Sequence, residues 1–182
     1  VYKRQGVTRP YSGKVGIHQE IGVPIPSTNT NAAFYADKSH SGEHCLQVSN
    51  AEARFRQSDL LLKVGEEYLF SAWVSKYVME GKVDLSSSGI QVGFEFLNSS
   101  GTVLSTVNTS SSDFKGKVIE GWQKLEHVFT VPANTSSVRL VLYAGNGEVV
   151  RSNTVYEAYY DDIRIQPFNS AMKTYVYDPL DY

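Results

Sequence analysis

Cysteine and long apolar runs are both scarce in this chain of 182 residues. Cys45 is the single cysteine, which excludes an internal disulfide and any zinc site built from several cysteines. No apolar stretch approaches the ~20 residues that a membrane-spanning helix requires. We therefore expect neither a small disulfide-rich scaffold nor a protein that inserts into a membrane.

Clustered positive charge is also lacking. The chain has 17 Lys and Arg residues against 19 Asp and Glu residues, which gives a formal net charge of −2 at pH 7. Nucleic-acid-binding proteins concentrate Lys and Arg so that they displace counterions from the phosphate backbone. The longest basic runs here, such as Lys115-Gly116-Lys117, are too short for that role, so we expect no nucleic-acid partner.

Aromatic residues, in contrast, are plentiful and fall into alternating patterns. The chain has 12 Tyr, 8 Phe and 2 Trp, residue types that favour half-buried strands. Apolar and polar residues alternate with a period of two, and no window has a helical stripe. Turn residues separate the runs, and longer loops are predicted at 76–89 and 106–121. The pattern predicts an all-β protein with strands in residues 46–48, 67–75, 90–96, 125–131, 138–143 and 155–165.

Four of these runs resemble, in order, the strands of carbohydrate-binding modules with a galactose-binding-like jelly roll. Residues 40–48 match the pattern SGxxxLxV, and residues 62–74 match GxxYxxSxWV. Residues 121–132 match GWxxxxxxFxVP, and residues 159–165 match the closing DD[IV]xI strand. The resemblance implies a two-sheet antiparallel β-sandwich, but one fold can host sugar binders, adhesion modules and inert spacers.

The two ends of the chain lack this alternation and are predicted to be linkers. We assign residues 14–167 to the sandwich domain, 1–13 to an N-terminal linker and 168–182 to a linker towards a downstream domain. The first five residues resemble translated sequencing-adapter read-through from metagenomic fragments. Residues 167–179 resemble the segment that leads into the YD-repeat shells of Rhs-type bacterial surface proteins, with Tyr177-Asp178 as the first such dipeptide.

Catalytic motifs are weak. His40-Ser-Gly-Glu43-His44 has the spacing of an inverted zinc-peptidase motif, which needs both histidines on one face of a helix. Ser41 and Gly42 disfavour a helix, and on a strand the two histidines would lie about 13 Å apart. No spacing selects a pair of glycosidase carboxylates, and no nucleophile elbow is present, so we expect no enzyme activity.

The resemblance also implies a structural calcium ion. Sandwiches of this kind often bind one through the aspartate that opens the last strand, which here is Asp161. Asp161 has the same parity as Ile163 and Ile165, so its carboxylate is predicted to point inward, where a hard cation would compensate it. Asp37 and Ser41 are the predicted co-ligands. The alternative is an aspartate that accepts hydrogen bonds from loop amides.

A sugar site needs aromatic rings that stack on pyranose rings and polar neighbours that bind the hydroxyl groups. Five residues alternate with apolar neighbours that are predicted to face the core, so their own side chains are predicted to point outward and to form such a site. They are two aromatic platforms and three hydrogen-bonding groups: Trp73, Tyr143, Gln91, Glu95 and Arg139. The alternative is that these side chains lie on ordinary solvent-exposed faces of the sheets and bind no sugar. Trp122 is predicted to be a packing residue at the start of a strand.

The sequence thus predicts a glycan-binding or adhesion module of a larger secreted bacterial protein, outside the cell or on its surface. Its partners would be a glycan or polysaccharide and the neighbouring domains of the same chain. The alternative is a structural spacer that docks on a YD-repeat shell and binds no glycan.

Overall fold

The computed structural model describes residues 16–18, 24–26, 32–35, 38–49, 52–57, 62–79, 81–151 and 153–169. In these ranges Ser111–Asp113 forms a short 3-10 helix, and all other regular structure is β. The strands are β1 (Gly16–His18), β2 (Pro24–Pro26), β3 (Ala32–Tyr35), β4 (Cys45–Ser49), β5 (Glu52–Gln57), β6 (Glu67–Lys76), β7 (Val92–Leu97), β8 (Val103–Asn108), β9 (Phe114–Ile119), β10 (Trp122–Thr130), β11 (Ser137–Tyr143), β12 (Glu148–Val150), β13 (Asn153–Val155) and β14 (Glu157–Pro167).

Two antiparallel sheets contain most of these strands. The six-stranded sheet has the order β3-β4-β14-β6-β10-β9, and the four-stranded sheet has the order β5-β11-β7-β8. The strands of β1-β2 and of β12-β13 form two small hairpins. The chain passes from one main sheet to the other between β4 and β5, β5 and β6, β6 and β7, β8 and β9, β10 and β11, and β11 and β14. The predicted two-sheet antiparallel sandwich is confirmed, whereas its proposed domain boundaries remain predictions.

The core lies between the two main sheets and is rich in aromatic rings. Phe94 of β7 is fully buried and contacts Phe70 of β6 edge-on, with ring centroids 5.3 Å apart. It also stacks on Phe129 of β10 at a centroid distance of 4.4 Å. Because strand side chains alternate between faces, the neighbours of these residues along each strand point away from the core. This alternation places the candidate site residues on the two outer faces.

The predicted loop at 106–121 is wrong in part. β8 extends to Asn108, and β9 occupies Phe114–Ile119 at the edge of the six-stranded sheet. Gly116, in the middle of β9, has a φ of +65°, which is a conformation that interrupts a regular strand. Both strands are edge strands whose side chains are partly exposed, so their apolar alternation is weak.

The predicted inward orientation of Asp161 is also wrong, because β14 contains a bulge. Asp161 pairs with Trp73, yet Arg164 pairs with Ser71, so three steps along β14 face two steps along β6. Asp162, with a φ of +48°, lies in this bulge. A bulge reverses the parity of the residues that follow it. Asp161 therefore shares the outer face with Trp73, while Ile163 packs against the core.

Two polar residues of the six-stranded sheet reach across the sandwich to the other sheet. The buried hydroxyl of Tyr160 donates to the carbonyl oxygens of Tyr143 (2.7 Å) and Gln91 (3.1 Å). Lys76 is 1% exposed, and its ammonium donates to the carbonyl oxygens of Ala144 (2.9 Å) and Asn146 (2.7 Å). Burial lowers the pKa of Lys76. These contacts satisfy buried polar groups that would otherwise destabilise the core.

We expect the stability of the wild-type protein relative to a Lys76→Met variant to rise with pH. Since the pKa of Lys76 is lower in the fold than its ordinary value of 10.5, the unfolded chain binds more protons as the pH approaches that value. Urea denaturation of both proteins at about pH 7 and about pH 9.5 measures the difference. Lys117→Met, which removes an exposed lysine of β9, is the matched control for the loss of one lysine. A wild-type advantage that shrinks with pH would contradict the argument.

Candidate functional site

The residues predicted to form one sugar site lie on opposite outer faces of the sandwich. Trp73 belongs to β6, and its neighbours Ala72 and Val74 point into the core, so Trp73 lies on the outer face of the six-stranded sheet. Glu95 lies on β7, and Arg139 and Tyr143 lie on β11, two neighbouring strands of the four-stranded sheet. Gln91 is the residue directly before β7. The core separates the two groups, so the five residues do not form one constellation.

On the four-stranded sheet, the predicted polar residues are engaged with one another. Glu95 and Arg139 are cross-strand partners, and Arg139 Nη1 donates to Glu95 Oε2 at 2.9 Å. Glu95 is only 8% exposed, and Val141, on the same side of β11, is fully buried. Tyr143 lies against Gly93, where an added Cβ would come within 3.4 Å of its ring. Gln91 is the exposed member of the group. This part of the face is therefore largely enclosed.

The outer face of the six-stranded sheet contains a groove next to Trp73. The groove has a volume of about 210 Å³ and crosses the three central strands β10, β6 and β14. Its walls combine one indole with hydroxyl, amide, basic and acidic side chains. The lining residues are Leu69, Ser71, Ala72, Trp73, Lys124, Glu126, Asp162, Arg164 and Gln166. Sequence reasoning singled out only Trp73 for binding, although the outward parity of Ser71, Lys124 and Glu126 was readable from their strands.

The two carboxylates of this groove both have partners. Glu126 lies 2.6 Å from the ammonium of Lys124, two residues away on β10. Asp162 Oδ1 accepts a hydrogen bond from the Ser41 hydroxyl at 2.7 Å, and Asp162 Oδ2 lies 3.0 Å from His40 Nδ1. A glycosidase needs one carboxyl group that is kept protonated and another that is free to act as base or nucleophile. The contacts of Glu126 and Asp162 favour binding over hydrolysis.

Next to the groove, this outer face is covered by the loop of residues 38–44, which we call the covering loop. His40 stacks on Trp73 with ring centroids 4.0 Å apart and an interplanar angle of 14°. The ammonium of Lys38 lies 4.8 Å from the ring centroid of Tyr159 and 5.7 Å from that of Trp122. As predicted, Trp122 is a buried packing residue at the start of β10. Trp73 thus lies between the covering loop and the groove.

Asp161 holds the covering loop in place. Its Oδ2 accepts the backbone N–H groups of His40 (2.8 Å) and Ser41 (2.9 Å), and its Oδ1 accepts the N–H of Asp162 (2.7 Å). The carboxylate is 6% exposed. A buried carboxylate is tolerated when charge-assisted hydrogen bonds compensate it, and three such bonds are present here.

These contacts do not fit a calcium site, which needs six to eight oxygen ligands around the ion. Both oxygens of Asp161 face N–H donors, and the Ser41 hydroxyl is bound to Asp162. In the described part of the chain, no group of three or more His, Cys, Asp or Glu side chains could hold a metal ion. Asp37, the other predicted ligand, lies outside the described residues. Calcium stays a prediction that the described residues do not support.

Cys45 lies under the covering loop and is not a nucleophile. It is buried with Trp122 and Tyr159. Burial, together with the nearby Asp161 carboxylate, raises the pKa of the Cys45 thiol to about 12. Since the thiolate is the reactive form, the protonated thiol of Cys45 behaves as a small apolar residue at neutral pH.

Among the described residues, no helix is both long and apolar enough to cross a bilayer.

Solved structures with similar folds include modules of two bacterial xylanases and a phage tailspike. Endo-1,4-β-D-xylanase 10B of Clostridium thermocellum, as its CBM22-1 and GH10 modules complexed with xylohexaose, has a TM-score of 0.52 at 16% identity. The CBM22-1–CBM22-2 tandem domain of Paenibacillus barcinonensis Xyn10C has a TM-score of 0.47 at 13% identity. The active domain of tailspike protein 4 of bacteriophage CBA120 has a TM-score of 0.47 at 11% identity.

The overlap with these proteins is partial. The matches cover 84%, 90% and 75% of this chain, but only 27%, 49% and 18% of the xylanase 10B, Xyn10C and tailspike chains. No protein-family model matches the sequence, and no curated protein matches it. At these identities the likeness concerns the fold alone. This chain is a β-sandwich similar in fold to carbohydrate-binding modules.

Proposed function

We propose that this chain is a non-catalytic carbohydrate-binding or adhesion module of a larger secreted bacterial protein. The glycan binds in the groove beside Trp73, on the outer face of the six-stranded sheet. The observation that carries the proposal is the groove itself, in which an indole borders basic, acidic, amide and hydroxyl side chains. Its partner is a glycan outside the cell or on a cell surface.

The chemistry of the groove suits a sugar. A pyranose has an apolar C–H surface, which packs on aromatic rings, and a rim of hydroxyl groups, which both donate and accept hydrogen bonds. Trp73 supplies the ring, while Arg164 and Gln166 supply donors and Glu126 an acceptor. The xylanase structure with the similar fold, which consists of CBM22-1 and GH10 modules, is a complex with xylohexaose.

The predicted site on the four-stranded sheet has less support. Its Glu95 and Arg139 side chains form an ion pair with each other across the two strands. Val141 and Glu95 are buried there, so little of that surface is open to a sugar. Of the five predicted residues, only Trp73 therefore belongs to the proposed site, and the other residues of that site are those that line the groove.

We expect Trp73→Ala to weaken binding of the best glycan by about 30-fold, as loss of a central aromatic contact costs roughly 2 kcal/mol. A glycan array with the whole chain identifies the ligand, and isothermal titration calorimetry measures the affinity. Gln91→Ala is the matched control on the opposite face and should leave affinity unchanged. Binding that survives Trp73→Ala and fails in Gln91→Ala would move the site to the four-stranded sheet.

The same experiment separates the alternative functions. A folded protein that binds no glycan on the array, yet binds a downstream YD-repeat fragment, would be the structural spacer. Release of new reducing ends from the bound glycan would indicate hydrolysis, and it should then disappear in Glu126→Gln. The proposed function predicts binding without release of reducing ends.

A further inference from the structure

The covering loop lies beside the Trp73 end of the groove, where His40 contacts Trp73 and Asp162, two residues that line it. His40 lies flat on the indole at a centroid distance of 4.0 Å, which leaves no room for a sugar between the two rings. Beyond Trp73, Lys38 occupies the space over Trp122 and Tyr159. Among the described aromatic residues next to the groove, Trp122 and Tyr159 are thus covered by the chain itself, and Trp73 borders the groove.

The covering loop is held in place at several points. The backbone N–H groups of His40 and Ser41 both donate to Asp161, and the His40 ring is held by Asp162 at 3.0 Å. The Ser41 hydroxyl adds a further bond to Asp162. The Lys38 ammonium donates to the carbonyl oxygen of Lys76 at 3.0 Å. Contacts through backbone, ring, hydroxyl and ammonium hold the loop against the sheet next to the groove.

The groove beside Trp73 is small. Its volume is about 210 Å³. It is below the ~300 Å³ at which pockets for drug-sized ligands begin. A long glycan that ran on past Trp73 towards Trp122 and Tyr159 would meet His40 and Lys38, which cover these rings.

From these contacts we infer that His40 is an end stop and that the groove takes the terminal sugar of a glycan chain. The inference rests on the proposed function and specifies its ligand class, which is chain ends and short oligosaccharides rather than internal segments of a polysaccharide. The terminal sugar contacts the part of Trp73 that borders the groove, and the chain leaves on the side away from the covering loop. His40 is a positioning residue that sets the length of the site.

His40→Ala removes the stop without releasing the loop, because both backbone bonds to Asp161 remain. His44→Ala is the matched control, since His44 is an exposed histidine of the same loop. The first readout needs no glycan: acrylamide quenching of Trp73 fluorescence in a Trp122→Phe background. We expect quenching to rise about twofold in His40→Ala and to stay unchanged in His44→Ala. Unchanged quenching in His40→Ala would overturn the inference.

The second readout is affinity against chain length, measured with an oligosaccharide series of the sugar found on the array. Wild type and His44→Ala should reach constant affinity at two sugar units. His40→Ala should gain about fivefold more with longer chains, as the uncovered indole adds one stacking contact. Wild-type affinity that climbs up to six units overturns the end stop while the proposed function stands. No binding by any of the three proteins overturns the proposed function, and the inference with it.

Discussion

Replacing Phe94 with alanine is expected to lower the free energy of unfolding by about 4 kcal/mol. Phe94 is fully buried between the sheets and touches rings of two other strands, Phe70 on β6 and Phe129 on β10. Its removal leaves a cavity in the place where the two sheets are joined, and it also removes two aromatic contacts. Domains of this size are stable by about 5–15 kcal/mol, so this loss is a large fraction of the total stability.

Urea denaturation followed by circular dichroism measures this loss. Leu104→Ala on β8 is the control, because that leucine is 44% exposed and its truncation should change stability by less than about 0.5 kcal/mol. A cost for Phe94→Ala below about 2 kcal/mol would mean that the sheets close over the cavity. The core between the sheets would then be less rigid than its ring contacts indicate.

The sequence predicted the fold well because strand periodicity is a local signal. Residues 67–75 alternate so regularly that β6 could be located almost to its ends. β9 could not be found, since Gly116 and two lysines interrupt its pattern at the edge of the sheet. An edge strand packs on one neighbour only, so its side chains carry little of the signal that marks a central strand.

The site was harder to predict for a topological reason. Parity shows that Trp73 and Glu95 both point away from the core, but it does not say which sheet each belongs to. That depends on pairings between residues far apart in the chain, such as Arg139 with Glu95 and Lys124 with Trp73. Two outward residues can therefore lie on opposite outer faces of the sandwich.

The bulge in β14 is the reason that the second prediction, an inward-pointing Asp161, was wrong. Counting by twos from Ile165 and Ile163 places Asp161 inside, and only the extra residue at the bulge moves it to the outer face. Asp162 accepts the left-handed conformation more readily than most residues, yet this preference is too weak to locate a bulge from sequence. His40 was considered only as a metal ligand, so its stacking on Trp73 was not foreseen.

Asp161→Ala is expected to lower the free energy of unfolding by about 3 kcal/mol. Three backbone N–H groups lose their acceptor, and a buried donor left without one costs about 1–3 kcal/mol unless water reaches it. Two of these donors lie in the covering loop, so the loop should detach from the sheet as well. Denaturation in urea measures the stability, and hydrogen exchange of the His40 and Ser41 amides measures the detachment.

Glu43→Ala removes the same charge from an exposed position of the covering loop and should change stability by less than about 0.5 kcal/mol. Calcium gives a second test of the same carboxylate. If N–H groups are the partners of Asp161, adding calcium to chelator-treated protein leaves the melting temperature unchanged. A rise that wild type shows and Asp161→Ala lacks would mean that metal binds there, because a ligand specific to the fold stabilises it. In that case the covering loop, and with it the end of the groove at His40, would be held by the ion rather than by hydrogen bonds.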